Sequence, residues 1–395
     1  SFPTRRSSDL ASLYEKMERY SDAEPLYLRE LSVWEKIYGS EHEVVADTLD
    51  ELSDLYLWMK RLNDALAFNL KALQIREKAN DAEKLAATLE RAIFFYDLME
   101  KYVDAELLYH RILALNEKVY GVEPTKGANT LVKMAELYNK LERYPDAEPL
   151  LLRALTINEK EYGIKNEKFA KNLIAMADLN VKLHRYEDAE KLYLQALNIT
   201  ESIHGKEDTE ASSLRISLAD TYKLMKRYDD SEFIYKQVIA TAEKLSEKQK
   251  IPEKHALLVW IEAYRMAESL TKLADLYVKT GRYTEAEPLY KRALTIFIKE
   301  KTFFLIRTQI EPTLNSLATL YEKMERCNDA EELFTRTLEA LEEAGVIDTS
   351  ILISFANFYE KRERYADAEL LYLKALSIVE KEHVSQNVEI GRAHV

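Results

Sequence analysis

The sequence predicts an all-α solenoid built from about nine helix–turn–helix repeats. Three observations predict it: a composition that favours helix, a short motif that recurs about every 42 residues, and apolar residues at helical spacing. Only 8 of the 395 residues are Gly and 8 are Pro, whereas 47% are hydrophobic. Such a composition is typical of chains that are helical almost throughout.

The recurring motif is first seen at residues 19–27, RYSDAEPLY, and returns at residues 143–150 and 282–290. Its alanine marks what we call the motif position, which serine occupies once. The motif positions are Ala23, Ala65, Ala105, Ala147, Ala189, Ser231, Ala286, Ala330 and Ala368. Their intervals are 42, 40, 42, 42, 42, 55, 44 and 38 residues, which predicts repeats of about 42 residues.

Each repeat is predicted to contain two helices. In the second repeat, residues 48–62 carry one apolar stripe, and residues 64–78 carry a wider apolar face. A helix with two apolar sides is expected where neighbours pack on both flanks. A glycine usually follows the second helix, as at Gly39, Gly163 and Gly205, because glycine tolerates the backbone that ends a helix.

Small and aromatic residues recur at fixed distances from the motif position. A small residue usually stands twelve before it, tyrosine usually stands nine before it, and tyrosine or phenylalanine often stands four after it. The small residues predict close helix packing, and the aromatic rows predict core. Cys327 takes a place that is tyrosine in most repeats, so we expect it to be a packing residue.

The pattern Leu–x–x–Leu–Ala–x–Leu–Tyr followed by alanine, an aromatic residue and alanine resembles the tetratricopeptide repeat (TPR) family over residues 11–388. The 42-residue period and residues 38–42, YGSEH, are similar to the kinesin light chain type. The resemblance implies an α-α superhelix whose first helices line a concave groove. Members of that type carry paired asparagines early in the first helix, and only Asn315 stands in such a place, so cargo specificity is not implied.

The two ends of the chain depart from this pattern. Residues 1–10 resemble the translation of a short-read sequencing adapter, and residues 389–395 resemble the matching adapter. We therefore expect the natural protein to continue past both ends, although a basic targeting arm is an alternative for the N-terminus. Between them we expect repeats one to six in residues 11–245, and an irregular insert with repeats seven to nine in residues 246–388.

The insert places thirteen extra residues between the sixth and seventh motif positions. Residues 246–252 predict an exposed joint, and residues 255–280 predict one long helix. Trp260 and Tyr264 fall on the added part of this helix, where they either cap the preceding repeats or offer an aromatic anchor to a partner. Residues 299–312 lack the usual glycine and predict a second irregular joint.

The groove candidates follow from register on the first helices. Acids eleven residues before the motif position favour a partner segment with lysine or arginine; alternatively, they pair with lysines of the same or the next helix. The lysine and asparagine clamp that other family members use for carboxylates is missing. The candidates are Asp54, Glu136, Asp178, Asp220, Asp275, Asn139, Lys140, Lys182, Asn315 and Asn357.

Composition also bears on the function class. The net charge of −13 argues against nucleic acid as a partner, and no apolar run approaches the length of a membrane span. The chain shows no metal-ligand spacing, phosphate-binding glycine loop or nucleophile motif. We expect a non-catalytic, cytoplasmic scaffold that binds a protein or peptide, with no cofactor, metal or small-molecule substrate.

Two other readings remain open. The repeats could be the sensor or regulatory array of a larger signalling protein that carries an ATPase, kinase or protease domain. An enzyme with its active site inside residues 11–388 is the least favoured reading, because the chemistry is missing.

Overall fold

The computed structural model describes residues 2–79, 81–120, 125–248, 256–299, 304–343 and 349–393, and it confirms the all-α repeat fold. These residues form eighteen α-helices, and no strand occurs among them. The helices are α1 (Phe2–Lys16), α2 (Tyr20–Tyr38), α3 (Glu43–Trp58), α4 (Leu62–Lys78), α5 (Ala82–Leu98), α6 (Tyr102–Tyr120), α7 (Thr125–Lys140), α8 (Tyr144–Tyr162), α9 (Glu167–Lys182), α10 (Tyr186–His204), α11 (Thr209–Leu224), α12 (Tyr228–Lys248), α13 (Ala256–Lys279), α14 (Tyr283–Lys299), α15 (Phe304–Lys323), α16 (Cys327–Glu342), α17 (Thr349–Glu360) and α18 (Tyr365–Ala393).

The chain divides into two compact units, Ser1–Leu183 with α1 to α9 and His184–Val395 with α10 to α18. Within each unit, successive helices pack against each other, so that α1 to α8 form four hairpins and α11 to α18 form four more. The eighteen described helices correspond to about nine helix–turn–helix repeats. In the second unit a continuous apolar core runs from Ile216 to Ala368. None of the described helices combines the length and the hydropathy that a bilayer crossing requires.

Small residues bring the two helices of a hairpin together, as the sequence predicts. Every motif position is at most 3% exposed, and every residue twelve before it is at most 5% exposed. Where serine replaces alanine, its hydroxyl bonds across this contact: Ser53 Oγ donates to the Ala65 carbonyl and Ser231 Oγ to the Ala219 carbonyl, both at 2.8 Å. The helices approach closely at this contact, and a small side chain stands there in every repeat except the third, which has Ile93 twelve residues before its motif position.

The first helix of the second repeat begins earlier than expected. It spans Glu43–Trp58 rather than residues 48–62, and Leu62 begins the next helix. His42 explains the early start, because its Nδ1 accepts the Val44 N–H at 3.3 Å and caps the helix. The expected glycine stops are confirmed at Gly39, Gly163 and Gly205, with φ of 87°, 73° and 93°; Gly121 lies outside the described residues.

The tight turn inside each hairpin contains a left-handed residue that the sequence did not predict. The residue five positions before each motif position has a φ between 56° and 79°, although only one of these nine residues is glycine. In the second repeat, the turn is closed by a 2.9 Å bond from the Arg61 N–H to the Tyr56 carbonyl. The residues are Glu18, Lys60, Glu100, Glu142, His184, Lys226, Gly281, Glu325 and Glu363.

These turns give a matched pair of stability predictions. Lys60→Gly should raise the free energy of unfolding by about 0.5–1 kcal/mol, because glycine adopts positive φ without steric cost. Gly281→Ala should lower it by about 1 kcal/mol through the backbone alone, because a Cβ built there meets nothing within 4 Å. Urea unfolding of both variants measures these changes. Free energies of unfolding that change in the same direction would contradict the prediction.

The irregular second half differs in part from the expectation. The long helix is confirmed as Ala256–Lys279, within one residue at each end. The joint expected over residues 246–252 is wrong for its first three residues, because α12 continues to Lys248. That stretch has no glycine or proline stop. Residues 249–252 lie outside the described part of the chain.

The second irregular joint is also shorter than expected. Helix α15 begins at Phe304 and contains Pro312, so residues 304–312 are helical. Ile310 and Leu314 flank the proline and are fully buried. Burial of this apolar stripe outweighs the helix hydrogen bond that proline cannot make.

Candidate functional site

One glutamate, which follows the motif position directly, joins neighbouring repeats. Glu287 accepts bonds from Tyr321 Oη at 3.1 Å and from Arg326 Nη1 at 2.6 Å, both in the following repeat. Arg326 lies over the Tyr321 ring, 4.8 Å from its centroid. Burial raises the pKa of Glu287, but hydrogen bonds from Arg326 and Lys291 outweigh burial and bring the pKa to about 2.

We call this three-residue arrangement the glutamate clamp. In each case the tyrosine and arginine belong to the repeat after the glutamate. The other described clamps are Glu24 with Tyr56 and Arg61, Glu106 with Tyr138 and Arg143, Glu190 with Tyr222 and Arg227, Glu232 with Tyr277 and Arg282, and Glu331 with Tyr359 and Arg364. The recurrence identifies these polar residues as structural, so they are not groove candidates.

The clamp is absent between the second and third repeats, where Leu66 stands in the place of the glutamate. The buried Arg76 of the second repeat joins the two repeats there, because its Nη1 donates to Thr88 Oγ1 on α5 of the third repeat. Arg76 is 6% exposed and ion-pairs with Asp50 at 2.5 Å and with Asp47 at 2.8 Å. Arg91 pairs with Asp50 at 2.8 Å and with the candidate Asp54 at 3.2 Å.

Several of the predicted groove acids also have partners within their own unit. Tyr235, four residues after its motif position, donates its hydroxyl to Asp220 at 2.5 Å. Asp220 also pairs with Lys272 at 2.5 Å.

The same tyrosine bond recurs in two other repeats. It joins Tyr290 to Asp275, and it joins Tyr372 to Asn357 at 2.6 Å. For Asp54, Asp220 and Asp275, these contacts favour internal pairing over a free acidic ladder.

Three candidates of the first unit lie near the end of α7. Glu136 and Lys140 line a cavity of about 220 Å³ together with Phe94 and Tyr109. Lys140 Nζ pairs with Asp97 at 2.5 Å, and burial raises the pKa of Glu136. The buried Oδ1 of Asn139 has no hydrogen-bond partner within the described part of the chain.

The remaining candidates of the first unit are the exposed side chains of Asp178 and Lys182 on α9. The structure does not bring them into the cavity with Glu136.

The largest described cavity of the second unit, about 650 Å³, brings the two predicted asparagines together. Asn315 and Asn357 line it with Ser354, and Phe334 and Phe358 supply apolar surface. Asn315 Nδ2 donates to Ser354 Oγ at 3.1 Å, which fixes the amide across two first helices. The cavity combines amide groups with an apolar floor.

Trp260 and Tyr264 are half-buried against the core of the second unit. Their ring centroids lie 6.2 Å apart, and Tyr264 lies 6.3 Å from Phe297. These contacts favour the packing interpretation over an exposed anchor.

Sequence reasoning missed a group of acids in the first unit. Glu30 on α2 is 7% exposed and accepts a 3.1 Å bond from Trp34 Nε1. Its place, seven residues after the motif position, was the available signal, because the other eight repeats carry uncharged residues there. These are Ala72, Ile112, Ala154, Ala196, Val238, Ala293, Thr337 and Ala375.

Comparison with protein families finds one repeat type along the chain. A tetratricopeptide repeat model matches residues 5–78, 128–198 and 168–244, and a second tetratricopeptide repeat model matches residues 266–300. Together the matches cover more than half of the chain. No protein of curated function gave a significant match.

Solved structures with a similar fold have low sequence identity. BtubC (BKLC) from P. vanneervenii is 18% identical, with 61% of this chain and 93% of that chain covered and a TM-score of 0.51. A signal transduction ATPase with numerous domains and a tetratricopeptide repeat sensor, from Pyrococcus horikoshii, is 15% identical, with 92% and 54% covered and a TM-score of 0.52. Repeats assigned to a kinesin light chain of Podosopora anserina are 17% identical, with 51% and 96% covered and a TM-score of 0.44.

Proposed function

This chain belongs to the tetratricopeptide repeat family, and from that premise we propose that it is a non-catalytic scaffold that binds a peptide segment or helix of another protein. The binding surface is the groove face of the first helices. The observation that carries the proposal is the cavity lined by Asn315 and Asn357. Its volume of about 650 Å³ lies within the roughly 300–1,000 Å³ that is usual for ligand pockets.

The chemistry of this cavity suits a peptide in particular. Asn315 Nδ2 donates to Glu311 and Ser354, and Asn357 Oδ1 accepts a bond from Tyr372. Asn315 Oδ1 can therefore accept from the N–H of a partner backbone, and Asn357 Nδ2 can donate to its C=O. Phe334 and Phe358, which are 1% and 5% exposed, form an apolar floor beneath the cavity, while Lys361 and Glu360 provide a charged rim. Such a surface holds an extended segment by its main chain and selects it by one side chain.

A random 12-residue peptide library displayed on phage, selected on the full chain, tests the proposal. Peptides should be recovered, and Asn315→Ala/Asn357→Ala should weaken their binding about tenfold, since lost hydrogen bonds cost about 1.4 kcal/mol in total. Asn198→Ala, on the exposed face of α10 in the same unit, is the matched control. Fluorescence anisotropy measures affinity, and thermal melting verifies that each variant is folded.

Two outcomes would overturn the proposal. One is a selection that yields no binding peptide. The other is a set of peptides whose affinity is unchanged by the double asparagine substitution, which would place their binding elsewhere.

A second candidate is that the repeats form the sensor or regulatory array of a larger signalling protein. The ATPase from Pyrococcus horikoshii favours it, because its similarity spans 92% of this chain but only 54% of that protein. Recovery of the flanking gene sequence tests this candidate, since an adjoining ATPase, kinase or protease domain would support it.

A further inference from the structure

Glu30 is a buried acid without a counter-charge among the described residues. Trp34 satisfies only one of its carboxylate oxygens, and Oε2 is buried with no hydrogen-bond partner in the described structure. A buried carboxylate that lacks a bond carries a desolvation penalty of several kcal/mol. Eight other repeats avoid this penalty with an uncharged residue at the same place.

Two further acids stand on the adjoining helices, Glu15 on α1 and Glu51 on α3, and all three acids act on the buried Tyr27. Burial raises the pKa of Glu30, and repulsion from Asp9 on α1 adds to the effect. Burial raises the pKa of Glu51 to about 7, and repulsion from Glu30 and Glu15 adds to the effect. Burial also raises the pKa of Glu15, against a hydrogen bond from Tyr27 that lowers it. We call Glu15, Glu30 and Glu51 the acidic recess.

The arginines of the neighbouring helices α4 and α5 form ion pairs with other acids. Arg76 and Arg91 pair with Asp47, Asp50 and Asp54. Within the described ranges, no ion pair joins a lysine or arginine to Glu15, Glu30 or Glu51. The acidic recess therefore holds three carboxylates that repel one another.

We infer that the acidic recess binds a lysine or arginine side chain of the partner segment. The inference rests on the proposed function and names the chemistry of its partner. A lysine ammonium has three donors and an arginine guanidinium has five, so either can bond to more than one carboxylate at once. The three carboxylates do not form one of the described groups that are close enough to share a metal ion.

Trp58 adds a second feature to the same surface. It lies seven residues after Glu51 on α3, so the two side chains share a face about 10 Å apart. Its side chain is 62% exposed. A partner segment in the polyproline II conformation advances about 3.1 Å per residue and presents every third side chain on one face, so it would place an apolar side chain on Trp58 three positions from the basic residue.

The experiment repeats the displayed 12-residue library selection on the full chain and on Glu30→Gln/Glu51→Gln. Peptides selected on the unaltered chain should carry lysine or arginine, with an apolar residue three positions away, and should bind the double variant at least tenfold more weakly. Glu35→Gln/Glu161→Gln is the matched control, because it removes the same charge from two exposed sites of the same unit. The affinity of this control variant for the selected peptides should equal that of the unaltered chain.

The outcomes separate this inference from the proposed function. Absence of any binding peptide would overturn the proposed function itself. Selected peptides that lack a basic residue would overturn only the inference about the acidic recess. Equal affinity of the peptides for Glu30→Gln/Glu51→Gln and for the control Glu35→Gln/Glu161→Gln would do the same. Glu30→Gln/Glu51→Gln should melt no lower than the unaltered chain, because it removes mutual repulsion, so weaker binding cannot be ascribed to unfolding.

Discussion

Replacement of Glu287 by alanine is expected to lower the free energy of unfolding by about 2–3 kcal/mol, because it leaves a partly buried arginine and a tyrosine without their acceptor. The substitution removes the acceptor of both Tyr321 and Arg326. It leaves the arginine between two repeats without its inter-repeat partner. The Glu287 side chain is 16% exposed, so solvent replaces these contacts only in part.

Glu285→Ala is the matched control for this prediction. Glu285 also pairs with an arginine, Arg282 at 2.7 Å, but its side chain is 52% exposed and it joins no neighbouring repeat. Exposed pairs of this kind contribute less than about 1 kcal/mol. Urea unfolding of the two variants compares the costs, and equal losses would contradict a special role for the glutamate clamp.

Acid should weaken the same contacts in a defined range of pH. The pKa of Glu287 is about 2, against an ordinary value of 4.5. A lowered pKa means that the stabilisation is fully present above pH 4.5 and is lost as the pH falls towards 2. The unaltered chain should therefore lose more stability between pH 5 and pH 3 than Glu287→Ala, whose clamp is already gone.

Much of the fold could be predicted from sequence because packing positions repeat. The motif positions, and with the exception of Ile93 the residues twelve before them, have one chemical requirement, a small side chain, and it recurs visibly along the chain. The glycine stops likewise require one residue type. By contrast, the left-handed turns accept glutamate and lysine, so Lys60 and Glu142 carried no signal.

The candidate site was harder to predict because its residues pair over long distances. Register predicted Asp220 as a groove acid, yet its carboxylate accepts a bond from Tyr235 and pairs with Lys272. Such pairing depends on which side chains face each other across repeats, which helical spacing alone does not give. Asn315 and Asn357 were predicted because both stand at groove register, whereas Glu30 differs from the other repeats at a core position, seven residues after the motif position.

The most far-reaching consequence of the fold is that a single hairpin should not fold alone. In the hairpin of α15 and α16, residues 304–343, the second helix uses Phe334 to stack on Phe355 of α17 with ring centroids 4.8 Å apart. On the other side, Tyr321 and Arg326 bond to Glu287 of α14. Removal of both neighbours exposes these contacts to water, and helices of a protein owe most of their stability to such packing rather than to helix propensity.

Circular dichroism of two excised segments tests this central claim most directly. Residues 304–343, one hairpin, should show little helix and no cooperative melting. Residues 256–393, three hairpins, should be helical and melt cooperatively, because each hairpin regains at least one neighbour. A cooperative transition in the single hairpin, at the melting temperature of the full chain, would show that each repeat has its own core and would contradict the account.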